Sequence, residues 1–556
     1  MSMKREFVEL RPDQVRTPAG PKKDTVIILD KTSGQIAFKG NPRETGEWLE
    51  GQKAKERDGM AIPSETVETV RGGTVIPGIT DAHEHPFLYA SLANMVDLGE
   101  AESLTQLINQ VEKADSEKSD EPLICGSWRT EMVPNLSRED LDRVVPDRPV
   151  IVYDTSFHGA VINSKMAERM KSSIGLNKDL LGEFSTKTGR LTEGYVLRSF
   201  EIIAPASDII EGRVEKTFED YFSNGITTVH DMAINSWNEV IAFLQKRKEW
   251  KEKRFSFPIV RTFLMPSMLE KFFQNQGELE RAGLWDDELL PTLGLKFITD
   301  GSLGSRTAKM SEQYLDKETR GEWATKIKEM NQVIDFALKH GIDQVAFHAI
   351  GDEAIKRVVR LTQHWAEKSK ELTGADIDPT KWRIEHFECP FSEKVLQDVK
   401  SLGMWVSMQP NFLTDYVYRD RIGDRIKWIC PHRKVLGYKI PMMFGSDGMP
   451  MESLFGLWAA THALEDDQRL NFEEAMMAFS MMPKQYVGEK GGMLEPGEKA
   501  DIAVVDTEDF ENILGGTQPQ TVEDFDRAQR GVQAALRTRV PVLGTYVQGR
   551  KVYEKK

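Results

Sequence analysis

Short apolar runs ending in polar or ionisable residues alternate along the middle of the chain with amphipathic stretches, the pattern of βαβ units. Eight such runs stand out, at 73–81, 226–231, 258–264, 294–300, 344–348, 382–386, 404–409 and 441–447. Helical periodicity fills the intervals, most plainly over 322–340 and 352–372. An α/β fold follows, with the eight units closed into a (β/α)8, TIM-like barrel. The ends of the chain read differently. Residues 25–30, 35–38 and 64–74 alternate β-branched and polar positions, as do 500–506 and 544–553, the last a hairpin about Gln548-Gly549. These two ends are expected to form one small β-sandwich. The expected partition is 1–76 for its N-terminal part, 77–486 for the barrel and 487–556 for its C-terminal part. About 140 residues separate His85 from Ile226, too many for one crossover, so an inserted subdomain is placed after the first strand, at about 95–220. Residues 507–537 show no strand pattern and are read as a helical or loop excursion.

Composition narrows the function classes. The chain has 556 residues, 40% hydrophobic and 29% charged, an ordinary globular balance. Its net charge of −15 and the absence of a dense Lys/Arg block argue against nucleic-acid binding and anionic membranes. No run approaches the roughly 18 apolar residues of a membrane span. The first residues lack the apolar core of a secretory signal, so a cytoplasmic location is expected. The three cysteines, Cys125, Cys389 and Cys430, are too scattered for a disulfide framework or a metal knuckle.

Candidate chemistry gathers at the ends of the apolar runs. His83 and His85 stand at i and i+2, a spacing that aims two imidazoles at one point on a strand. Alone the pair also fits two polar residues hydrogen-bonded in a loop, since 10 histidines give roughly 0.2 such pairs by chance. His348 ends the fifth run, His386 the sixth and Asp447 the eighth, each where a barrel strand meets its rim. Imidazoles and a carboxylate converging there make a metal site, best suited to Zn2+, with Mn, Fe, Co or Ni as the alternatives. Lys296 lies within the fourth run among apolar neighbours, where a free ammonium is costly. It is either paired with a carboxylate such as Asp300 or converted by CO2 to a carbamate that bridges two cations. His340, His364, His432 and His462 fall on helical or loop stretches and take no role.

The phrases at 75–85 (Val-Ile-Pro-Gly-Ile-Thr-Asp-Ala-His-Glu-His), 296–307, 348–352, 383–386, 407–410, 445–447 and 497–501 resemble the amidohydrolase superfamily. Within it they are similar to the YtcJ-like branch, which includes N-substituted formamide deformylases. The resemblance runs in order from about residue 24 to the end. It implies a metal-dependent hydrolase with two ions: His83 and His85 on one, His348 and His386 on the other, carboxylated Lys296 between them and Asp447 beside the first. Two phrases of the insertion depart from the branch, Gly126-Ser-Trp-Arg-Thr-Glu131 and Asp154-Thr-Ser-Phe-His158, so a relative's specificity does not carry over.

The expected reaction is hydrolysis of a non-peptide carbon-nitrogen bond in a small amide, an N-substituted formamide among the options. A metal lowers the pKa of its water from about 16 to near 7, which yields hydroxide at neutral pH. Asp447 is the candidate general base and acid. His158 is the candidate donor to the developing oxyanion, or else a hydrogen-bonded structural residue. Trp128 and Arg129 are candidates for shaping the pocket. His230-Asp231 closes the second run and either supports the centre or simply ends a core strand. Other readings stay open: a single-metal deaminase with no need of Lys296, a hydrolase of a lactam, carbamate or ester, or a non-catalytic binding protein on the same fold. The barrel class admits a homodimer, though no segment marks an interface.

Overall fold

The computed structural model describes residues 5–57, 64–115, 121–174, 181–253, 257–373 and 377–556. At its centre are eight parallel strands: β1 (Ile79–Glu84), β2 (Ile226–Ile234), β3 (Ile259–Leu264), β4 (Leu293–Ile298), β5 (Val345–Ala349), β6 (Trp382–His386), β7 (Trp405–Met408) and β8 (Met442–Phe444). Each pairs with the next in sequence. Every residue of β1, β2, β4, β5 and β6 is buried, as strands must be with helices outside and packed side chains inside. The expected barrel is therefore present. Its seam, between β8 and β1, is closed by loop contacts. The Asp447 N–H donates to the His83 carbonyl at 2.8 Å, and the Ser446 N–H to Asp81 Oδ1 at 3.0 Å. Gly445 permits the approach, because a Cβ there would lie 2.4 Å from the His83 nitrogen.

The first apolar run does not make one strand. It breaks at Gly78, so that Thr74–Pro77 joins a terminal sheet while β1 starts at Ile79 and continues through His83. The Gly78 N–H donates to the Asp501 carbonyl at 2.8 Å, and a Cβ would meet Thr227 Cγ2 at 2.5 Å. Periodicity could not reveal this break, since both halves are apolar and extended.

The terminal sheets form the expected sandwich, with an asymmetry. One sheet, in the order Gln35–Gly40, Val26–Asp30, Arg5–Arg11, Ser64–Arg71, is wholly N-terminal. The other mixes both ends: Thr74–Pro77 pairs antiparallel with Ile502–Val505, which pairs with Val542–Val547 of the final hairpin. Val8, Leu10, Ile27 and Leu29 of the first pack on Val75, Ile502 and Val504 of the second. A helix, Pro42–Arg57, interrupts the strand pattern near the N-terminus, anchored by Trp48 against Phe7 and Phe38. Residues 507–537 resolve into two helices, Thr507–Leu514 and Val522–Arg539, whose starts are capped by the Asp506 and Thr521 side chains.

The insertion carries its own five-stranded sheet, from Val96–Asp97 to Arg190–Thr192, and two small cores. Leu88 and Leu92, just after β1, join the second of these cores and fix the insertion over the barrel rim. The helix expected from residue 322 begins at Ile327, because the preceding residues line the rim: the Ala324 N–H donates to the Thr299 carbonyl. Among the described residues no helix is long and apolar enough to cross a membrane.

Candidate metal centre

Strand β1 delivers His83 and the residue after it delivers His85. Buried charges on β6 orient the first. Glu385, wholly buried, accepts from His83 Nδ1 at 2.7 Å and from Arg383 Nη2 at 2.9 Å and its Nε. Arg383 also donates to the Ala82 carbonyl at 2.7 Å and meets His230 Nδ1 at 3.0 Å. His230 thus supports the arginine that supports the carboxylate that holds His83. With Nδ1–H engaged, His83 presents the Nε2 lone pair, 3.7 Å from Asp447 Oδ1. His85 Nε2 lies 3.0 Å from the same oxygen. Burial, reinforced by Lys296 and the other cations, holds the His83 imidazole well below its ordinary range.

The opposite wall comes from β5 and β6. His348 and His386 pack with ring centroids 4.3 Å apart, and His386 stands 4.8 Å from His83. Burial first, and neighbouring cationic groups second, push both pKa values well down, so both rings are neutral. His348 Nε2 faces the Gly301 carbonyl at 3.2 Å, which leaves Nδ1 as its lone pair. His386 sits in the left-handed region, φ 70°, as does Asp447, φ 54°. Such backbone costs roughly 1–3 kcal/mol per residue and persists where the surroundings over-determine it. At Asp447 the fixing bonds are visible: its N–H binds the His83 carbonyl, and its carbonyl accepts from Tyr89 at 2.8 Å.

Lys296 on β4 lines the same cavity and is 1% exposed. Burial lowers its pKa to about 8 against the opposing pull of Glu385 and Asp447. The alternative pairing with Asp300 is not formed. That carboxylate accepts instead from the backbone N–H groups of Lys309, Ile350 and Gly351.

The insertion places His158 against this wall, its ring 5.0 Å from that of His348. Burial is the largest single influence and lowers its pKa, but Glu193, whose Oε2 lies 3.0 Å from Nδ1, together with Asp154 and Asp300 raises the net value. His158 lines two chambers that meet at the centre. One is about 370 Å³ and apolar, with Leu88, Leu92, Phe157, Leu197 and Phe200 in its wall. The other is about 230 Å³ and more polar. Trp128 lines neither: it is buried in the insertion's core, its Nε1 donating to the Val133 carbonyl at 2.9 Å. Arg129 is likewise absent from both walls, and Ser127 is the residue of that phrase that reaches the cavity. An apolar ring at that position is better accommodated by the core than by the pocket.

His83, His386 and Asp447 each offer a ligand atom within 4.8 Å of the others. His85 and His386 also keep a buried Nδ1 with no hydrogen-bond partner among the described residues. Neutral imidazoles, a carboxylate and orphaned buried nitrogens fit a borderline divalent cation. Residues 70–553 match the amidohydrolase family. The chain belongs to that family. As an amidohydrolase it is 23% identical over 551 residues to the protein YtcJ of Bacillus subtilis (strain 168), covering 95% of this chain and 97% of that one. It is 23% identical over 503 residues to the N-substituted formamide deformylase of Arthrobacter pascens, covering 82% and 88%. Among solved structures it is similar to an uncharacterized metal-dependent hydrolase from Pyrococcus furiosus, at 25% identity and a TM-score of 0.64, covering 90% of this chain and 99% of that one. Family and donor set together make this amidohydrolase a metal-dependent hydrolase.

Glu385, Arg383, Glu193 and Tyr89 escaped the sequence reading as functional residues. The signal for the first two was present: charges at i and i+2 of an apolar strand face one side and require a buried partner.

Proposed function

We propose that this amidohydrolase hydrolyses a carbon-nitrogen bond in a small non-peptide amide. Two divalent ions, with zinc the best match to the donors, would be held by His83, His85, His348, His386 and Asp447, and by Lys296 as a carbamate between them. Such ions supply Lewis-acid polarisation of a carbonyl and acidify bound water. The observation that carries the reading is the convergence of His83, His386 and Asp447 beside Lys296 in one cavity. A lysine with a pKa near 8 keeps a fraction of neutral amine at physiological pH, the form that adds to CO2.

The chain's own groups perform the remaining work. Asp447 stands beside two imidazoles with its backbone fixed, placed to take a proton from the attacking water and return it to the departing amine. His158, its Nδ1 held by Glu193, is placed to donate from its other ring nitrogen to the carbonyl oxygen as charge develops there. The apolar walls of the larger chamber exclude competing water and strengthen both interactions.

The test is elemental analysis of purified protein with a screen of N-formyl and N-acyl amines. Two metals per chain with amine release is the expected result. One metal, with full turnover retained by Lys296→Ala, would replace this reading with a single-metal enzyme.

A further inference from the structure

The smaller chamber carries a feature that amide hydrolysis does not require. Its wall holds two carboxyl groups, Glu388 and Asp415. Glu388 lies two residues past His386 on the segment leaving β6, and Asp415 lies on the 3-10 stretch Pro410–Tyr418 that follows β7. Consecutive rim segments thus bring the two acids together, and their side chains meet in a hydrogen bond. Glu388 is 1% exposed, and no N–H or hydroxyl donor among the described residues reaches its buried Oε1. Arg421 lies near Asp415 but is engaged elsewhere. Its Nη1 donates to the carbonyls of Leu303, at 2.9 Å, and Gly304, and its guanidinium lies 4.0 Å from the centre of the Tyr418 ring.

Two carboxyl groups joined by a hydrogen bond share a proton between them, and a cation seated against the pair can take that proton's place and reach the unpartnered Glu388 Oε1. We propose that Glu388 and Asp415 form a specificity subsite that seats a protonated amine of the substrate. His158, His348, His386 and Asp447 line both chambers, so the scissile bond lies between an apolar arm and a cationic arm. The substrate class is therefore an N-acyl diamine: an apolar acyl chain in the larger chamber and an alkylammonium terminus against the two acids. This rests on the amide-hydrolase reading. In the reaction, the water oxygen forms the new bond to the acyl carbon and the carbon-nitrogen bond breaks. One water proton goes to the leaving nitrogen, giving a carboxylic acid and a diamine, with no oxidant or reductant involved.

The experiment compares N-hexanoyl diaminobutane with N-hexanoyl pentylamine, which replaces the terminal ammonium by a methyl group at equal length. The metal-loaded wild type is expected to favour the cationic amide by roughly 10- to 100-fold in kcat/KM, the range for a buried charge-assisted contact. In Glu388→Gln and Asp415→Asn that ratio is expected to collapse towards unity. Equal or faster hydrolysis of the neutral amide by the wild type would overturn the subsite while leaving the hydrolase reading intact. Hydrolysis of neither amide would count against the amide reading, and binding then decides the subsite separately. Hexylammonium is expected to raise the wild-type Tm more than hexanol does, with the difference lost in Asp415→Asn; equal shifts would overturn the proposal. The wild-type comparisons stand even if a variant fails to fold.

Discussion

Single residues decide the chemistry here through the partners that fix them. Asp447 is held by its own backbone bonds, so Asp447→Asn is expected to fold normally and to lose roughly 10²- to 10⁴-fold in turnover, the usual weight of a positioned proton carrier. Steady-state assay at matched metal content checks this, and near-normal turnover would remove Asp447 as the carrier. Glu385 acts one step back. Glu385→Ala frees the His83 ring and leaves Arg383 without its carboxylate, so metal affinity is expected to fall by roughly 10- to 100-fold. Competition against a calibrated chelator measures that directly. These residues differ in how readable they were. That His83, His85, His348, His386 and Asp447 come together in one cavity was legible because each ends a strand pattern, and strand ends converge in a barrel. Glu385 was not assigned, since its partner His83 lies 302 positions away and no local pattern links them. Trp128 misled for the opposite reason: a Trp beside an Arg resembles a pocket wall in sequence, but an apolar ring packs inside whenever a core is available.

At the scale of elements, the seam between β8 and β1 is the sensitive joint. The loop after β8 passes so close to His83 that Gly445→Ala must push the two apart, its Cβ otherwise lying 2.6 Å from His83 Cβ. Overpacking of this kind costs roughly 1–3 kcal/mol, and here the displacement also carries Asp447 away from His85. The expected result is a lowered urea midpoint together with reduced metal content, read by denaturation and elemental analysis; unchanged metal content would show that the seam does not position Asp447. The strands themselves were legible from apolar runs because a parallel sheet buries both faces. Their limits were less so. The break at Gly78 and the delayed helix start at Ile327 are set by contacts to Asp501 and Thr299, which are tertiary.

For the molecule as a whole, buried neutral histidines contribute to the sensitivity to acid. His432 is sealed beneath the β8 end of the barrel, facing the Phe444 ring and the Gln468 carbonyl, and burial lowers its pKa to about 3. The unfolded chain titrates near 6.5, so between these values it binds a proton that the folded chain refuses. The part of the stability that rests on this neutral ring is therefore complete above about pH 6.5 and falls as the pH drops, by up to ~1.4 kcal/mol per pH unit for one proton. His432→Leu is expected to flatten that part of the slope between pH 6.5 and 4. Urea midpoints of the two proteins across this range test it, and identical slopes would show that His432 is not one of the groups responsible.

The crossing at Gly78 ties the beginning of the barrel to the end of the polypeptide. Thr74–Pro77 lies between Gln14–Thr17 and Ile502–Val505, and the Gly78 N–H donates to the Asp501 carbonyl. The strand that carries His83 is thus anchored, one residue before it begins, by a stretch far along the chain. Loosening that distant clasp is therefore expected to reach the centre through His83 without touching any ligand.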